Sequence, residues 1–200
     1  GGRIMADPAY IVDGVLTDGE AWVGIGSHDF TGSETSLTIT STDDGQVGDF
    51  SQYMDLVVIA YTRFSTGGAE GTLICEPNSD TYGSSNYEAQ VFSGNGSTVL
   101  AAAWGGYMFM AYETPAATAT ANAYGASILN IFDINSGKYK SAVSQNAADR
   151  DGAGRAGMGA ITWLKQEPIT ATHFRGTSNQ TFAAGSRIDL FGVLPRMVTA

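Results

Sequence analysis

Ser186-Arg187-Ile188-Asp189-Leu190-Phe191-Gly192-Val193-Leu194, close to the end of the chain, decides the fold. Ile188, Leu190 and Leu194 fall on one face of an extended backbone, with Gly192 between them. Arg187, Asp189, Phe191 and Val193 fall on the other, a period of two and therefore a strand. Gly185 and the polar run Gly176-Thr177-Ser178-Asn179-Gln180-Thr181 punctuate it upstream. Pro195 ends it, because proline has no N–H to give a ladder. So apolar a strand needs neighbours on both edges and a second sheet over its Ile/Leu face.

The rest of the chain agrees with that reading. Of its 200 residues 43% are hydrophobic and 26 are glycine, which suits one domain of short strands joined by turns. The formal net charge is −10, so nucleic acid and anionic membranes are expected to repel the chain. Residues 1–100 hold 14 acids with only Arg3 and Arg63 as bases, whereas residues 101–200 hold six acids and eight bases. Either the acidic half is a solvated surface, or it meets the more basic half of another subunit. Cys75 is the only cysteine, which excludes an intrachain disulfide and fits assembly in a reducing cytoplasm. No window approaches the roughly 20 apolar residues of a membrane-spanning helix.

Residues 1–20 mix Asp7, Asp13, Asp18 and Glu20 with Ile4, Met5, Tyr10, Ile11, Val15 and Leu16. They read either as disorder or as an arm that orders on a neighbouring molecule. Strands are then expected at Trp22 to Ile25, Ser36 to Ser41, Tyr53 to Phe64, Thr72 to Glu76, Glu88 to Phe92 and within Trp104 to Tyr112. In Tyr53 to Phe64, Met54, Leu56, Val58, Ala60 and Phe64 line one face, while Val57, Ile59 and Tyr61 fill the middle of the other. A strand apolar on both faces wants covering on both. Ser127 to Ile134 and Lys138 to Ser144 form a hairpin around Asp133, Asn135, Ser136 and Gly137. Gln145 to Gly159 reads as a polar, glycine-rich loop. Ile161 to Leu164 and Ile169 to Phe174 complete the strands. With no convincing helix, the pattern is all-β, a sandwich or barrel of Greek-key type.

No motif points firmly to catalysis or a cofactor. Gly152-Ala153-Gly154-Arg155-Ala156-Gly157 has dinucleotide-binding spacing, but that motif works only between a strand and a helix, and here a strand is expected to follow. Asn78 and Asp80 could offer oxygens to Ca²⁺; a turn held by side-chain-to-backbone bonds explains them more simply. His28 and His173 are the only histidines, too few for a three-histidine zinc site. There is no Gly-x-Ser-x-Gly elbow. The expectation is a non-enzymatic protein without metal or cofactor. Most of the 3 Trp, 9 Tyr and 9 Phe read as core.

Four segments taken in order carry a resemblance. Trp22-Val23-Gly24-Ile25-Gly26 leads into the Leu37/Ile39 strand and then Tyr53 to Phe64. Asn78-Ser79-Asp80-Thr81-Tyr82-Gly83-Ser84-Ser85-Asn86-Tyr87 resembles an Asn-x-Asp-x-Gly-x-x-Tyr loop. Lys138-Tyr139-Lys140-Ser141 resembles a Lys-Tyr-Lys hairpin arm. Phe182-Ala183-Ala184-Gly185-Ser186 through Val193 resembles a closing aromatic-Ala-Ala-Gly-Ser signature, the most specific of the four. Together these look like a group of tailed-bacteriophage virion structural proteins. Tyr82 beside the loop glycine and a longer tail past Pro195 depart from the group's pattern. The resemblance implies a jelly-roll-like antiparallel β-sandwich, an arm over 1–20, the sandwich over 21–196 and a tail over 197–200. It implies a capsid decoration or cement protein, commonly a homotrimer, that binds the major capsid protein across neighbouring subunits on the capsid exterior. The alternative is a receptor- or carbohydrate-binding head on a tail fibre, with loops 78–87 and 145–159 as its contact regions. Contact residues expected on the first reading are Ile4, Met5, Tyr10 and Ile11 in the arm and Val57, Ile59 and Tyr61 for subunit packing.

Overall fold

The computed structural model describes residues 11–12, 15–16, 22–150 and 152–194. Its strands are β1 (Ile11–Val12), β2 (Val15–Leu16), β3 (Trp22–Asp29), β4 (Ser36–Thr40), β5 (Asp55–Thr62), β6 (Glu70–Pro77) and β7 (Tyr87–Gly94). They continue as β8 (Val99–Gly105), β9 (Met108–Pro115), β10 (Gly125–Phe132), β11 (Lys140–Ala148), β12 (Arg155–Trp163), β13 (Ala171–Gly176) and β14 (Arg187–Val193). A 3-10 turn over Phe50–Gln52 precedes β5, capped by the Asp49 carboxylate, which accepts the Ser51 N–H. The fold is all antiparallel β in two sheets. The large sheet runs β3-β14-β5-β10-β11-β12-β7-β8 and the small one β4-β13-β6-β9, while β1 pairs with β2. β9 lies across β10, β11 and β12 and so joins the two layers.

The strand that decided the reading, β14, sits between β3 and β5 in the large sheet. Ile188 and Leu190 point into the core and are fully buried, as its alternation requires. Leu56, Val58 and Ala60 of β5 join them there, with Phe64. Met54, expected on the same face, is instead exposed, because it lies before the strand begins at Asp55. Beside them Phe182 stacks on Phe30 at 4.0 Å and tilts against Phe64 at 5.1 Å, closing one end of the core. Trp163 fills another part of the interior and is fully buried.

Two expectations fail in instructive ways. Gln145 to Gly159 is not a long loop: β11 continues through Ala148 and β12 starts at Arg155, leaving a short connection. Asn146 pairs with Gly157, Ala147 with Ala156 and Ala148 with Arg155. The glycines that imitate a loop are demanded by packing. A Cβ on Gly159 would lie 2.9 Å from the Phe109 ring, and one on Gly157 would lie 3.0 Å from the Ser93 Cβ. The second miss is β8, Val99–Gly105, which pairs with β7 along its whole length. Its Ala101-Ala102-Ala103 centre has no alternation to betray a strand.

Candidate functional site

The two sheets present opposite chemistry to solvent. On the large sheet the ladder registers align Phe92, Met158, Gln145, Ile128, Ile59 and Asp189 in one row across six strands. This row faces outward: Phe92 is 55% exposed, and Met158 and Ile128 are exposed too. Flanking rows add Val99 (71% exposed), Tyr61, Phe132 and Trp22. Among the outward residues of the four central strands, β5, β10, β11 and β12, only Asp55 is charged, and its carboxylate accepts the Asp133 N–H. Charges gather at the margins instead, where Arg187 pairs with Asp189 at 2.8 Å. Eight strands spaced about 4.8 Å apart and seven residues long make a face of roughly 34 by 23 Å, about 800 Å². That equals one partner's share of a standard stable protein interface.

The expected packing residues divide on this face. Tyr61 is exposed and stacks on Tyr124 with ring centres 4.8 Å apart, and Ile59 is half-buried in the central row. Val57 is only 2% exposed, already covered within the chain. Ile4, Met5 and Tyr10 lie outside the described residues. Ile11 opens β1, where its backbone pairs with Leu16. Phe92, Ile128, Phe132 and Met158 were missed as surface residues. The signal was present in their strands: each sits at the even-numbered phase of an alternation whose odd-numbered phase is the core.

The small sheet turns a polar face outward. Thr38, His173 and Glu76 are cross-strand neighbours on β4, β13 and β6. Thr38 Oγ1 lies 2.7 Å from His173 Nδ1, and His173 Nε2 lies 3.8 Å from Glu76 Oε2. Glu76 is buried and receives both arms of Arg175, Nη2 at 2.6 Å and Nε at 3.0 Å, together with the Tyr82 N–H at 2.6 Å. A buried carboxylate is tolerated only when paired and hydrogen-bonded in this manner. His28, the other histidine, lies 3.8 Å from Glu34 and edge-on to Phe30. The two histidines belong to separate places.

The remaining motifs are structural in the positions they occupy. Asn78 Oδ1 accepts the N–H groups of Thr170 and Ala171, and its Nδ2 donates to Pro168 O. Asp80 Oδ2 accepts from Trp163 Nε1 at 2.7 Å and from Asn86 Nδ2 at 2.9 Å. Their oxygens thus staple the 78–87 loop to the core. Lys140 is fully buried, and its Nζ donates to the carbonyls of Ser136 and Lys138 at 2.7 Å, closing the hairpin turn; burial lowers its pKa. Gly152 to Gly157 joins two antiparallel strands rather than a strand and a helix. Between the sheets, burial pushes the Glu113 carboxyl up, helped by Glu70 and opposed by Arg155 and Arg150. Arg155 Nε lies 2.7 Å from Glu113 Oε1, off the direction of a hydrogen bond.

Compared with protein-family models, curated proteins and solved structures, the chain finds no match.

Proposed function

We propose that this chain is a non-enzymatic virion structural protein of a tailed bacteriophage, a jelly-roll-like β-sandwich that decorates or cements the capsid. It binds itself, as a homotrimer, and the major capsid protein across neighbouring subunits, on the exterior of a particle assembled in the host cytoplasm. The observation that carries the reading is the outer face of the large sheet, whose four central strands expose Tyr61, Ile128, Phe132 and Met158 with Asp55 as their one outward charge. Exposed Phe92, Met158 and Ile128 share the middle row of this face, and a cluster of exposed large apolar side chains marks an interaction surface. An uncharged centre also lets chains of net charge −10 approach without opposing like charges across the contact. The resemblance of the Phe182 to Val193 segment to virion proteins supplies the setting.

The test is copy number and shell binding. Purified chain added to capsids lacking it should saturate at hundreds of copies per particle. Saturation at a dozen or so would place it on a tail appendage instead, the receptor- or carbohydrate-binding head. The polar face of the small sheet favours that second reading. Deletion of residues 1–20 should weaken shell binding; undiminished affinity would remove residues 1–20 from the contact.

A further inference from the structure

The four sheet edges of the sandwich are unequal. The large sheet ends at β3 and β8, the small one at β4 and β9. β3 is bulged where it passes Leu190 and Phe191 and finishes in His28-Asp29. β4 is five residues long. β9 carries Glu113 and Pro115, and its register with β6 shifts at two places. Bulges, charges, proline and shortness are what keep an open edge from pairing with another chain. β8 has none of them. Its seven residues run in unbroken register with β7, inside a stretch from Ala89 to Tyr112 without a charged residue.

We propose that β8 is a self-pairing edge, joined antiparallel to β8 of a second copy across a twofold axis at Ala102. This goes beyond shell binding and does not rest on it, since the contact is the backbone edge of the sheet and not its outer face.

The ladder between β7 and β8 decides which groups are free. Gly106 N–H donates to Tyr87 O and Asn95 N–H to Thr98 O, which marks those as bonded pairs. Antiparallel bonding alternates, so Leu100, Ala102 and Trp104 also turn their backbone groups toward β7. The N–H and C=O groups of Val99, Ala101, Ala103 and Gly105 therefore point out of the open edge. An antiparallel copy centred on Ala102 sets Ala101 opposite Ala103 and Val99 opposite Gly105, all of them positions with free backbone groups.

The same register pairs the whole strand and matches side chains by size. Val99, 71% exposed, meets a glycine, Leu100 meets Trp104, and Ala102 meets itself on the axis. A twofold contact must be self-complementary in this way. Leu100, Ala102 and Trp104 are half-buried in the single chain, so pairing covers apolar surface on the inner phase as well. An occupant that also carries a net charge of −10 can approach because neither the strand nor its flanking turns hold a charge. The shared edge is about 24 Å long, at the weak end of specific contacts. It is therefore read near 1 mM, roughly −4 kcal/mol, far above the micromolar range in which sedimentation reports the outer face.

The experiment is amide hydrogen exchange by NMR on the full chain at about 50 μM and about 1 mM. It is run on the parent and on Ile128→Lys with Met158→Lys, in which the outer face is charged. In both, the amides of Val99, Ala101, Ala103 and Gly105 should gain about tenfold protection or more at the higher concentration, while those of Leu100, Ala102 and Trp104 are protected at either. Ala101→Lys with Ala103→Lys sets lysine against lysine across the axis, and Ala101→Glu with Ala103→Glu sets glutamate against glutamate. Each doubly substituted chain alone should lose the gain in protection. Mixed in equal amounts they should regain it, because every lysine then faces a glutamate. Exchange indifferent to concentration, pairing retained by either substituted chain alone, or a mixture that stays unprotected would overturn the proposal. Protection that appears only on capsids would give the edge to a shell protein and overturn it too. Shell binding by the same chains is scored separately, so the two readings fail independently.

Discussion

Ser186 shows how much one residue in the closing signature does. Its Oγ accepts the Arg63 N–H and donates to the Arg63 carbonyl, each at 3.0 Å, tying β14 to the end of β5. Gly185 before it holds a φ of +84°, a conformation that favours glycine, and its N–H donates to Phe30 O. Ser186→Ala leaves the Arg63 N–H without its partner, while the Arg63 carbonyl keeps the Ala183 N–H at 2.8 Å, and should cost about 1–3 kcal/mol, read from denaturant unfolding. Acid stability is also set residue by residue. The Glu34 carboxyl is held at about 2; burial works against ionisation, but bonds from Thr31 and Ser33 prevail. Asp44 is lowered by Thr42 and the Gln46 N–H, and Asp49 by Ser51 and Gly45. A carboxyl whose folded pKa is depressed lends stability above its unfolded pKa and loses it as pH falls through the folded value. Thermal midpoints should therefore drop between about pH 4.5 and 2, and Asp49→Asn should flatten part of that fall.

At the scale of elements, β12 is the most exacting strand. Its inner phase places Gly159 under Phe109 and beside Ser144, so that β9 can lie close across the large sheet. Gly159→Val would put a branched side chain 2.9 Å from the ring at its first atom, and overpacking of that kind costs about 1–3 kcal/mol. The same change at Gly137, whose added Cβ would meet nothing, should be near neutral in the same unfolding assay. The hairpin of β10 and β11 was legible because Asp133 to Gly137 carries turn chemistry between two alternating runs. The extension of β11 and the start of β12 were not. Small residues there look like a loop until the neighbouring strand is known to need the room.

Across the whole molecule, one sheet face is dry and the other wet, and this division organises its behaviour. Ile128→Lys with Met158→Lys plants two charges at the centre of the apolar row without touching the core. The doubly substituted chain should keep its thermal midpoint within a few degrees, since surface changes of this kind usually move stability by about 0.5 kcal/mol or less. It should also sediment as a monomer and lose shell binding where the parent chain associates. Retained association would move the interface off this face. The half-legible part of the site was β5: its two-sided apolarity announced that Ile59 and Tyr61 needed covering, yet Val57 in the same phase turned out to be covered by its own chain.

By itself the sequence determined the local things. Period-two alternation marked most strands, Asx and glycine residues marked the turns, and the net charge of −10 set the expectation that polyanions are repelled. These follow from backbone geometry and solvation, which act over a few residues. Only the tertiary structure decided which strands share a row, because register between segments as distant as Phe92 and Met158 depends on all the packing between them. For the same reason it alone could bring Thr38, Glu76 and His173 together. Their neighbourhood is created when three strands far apart in the chain pair side by side.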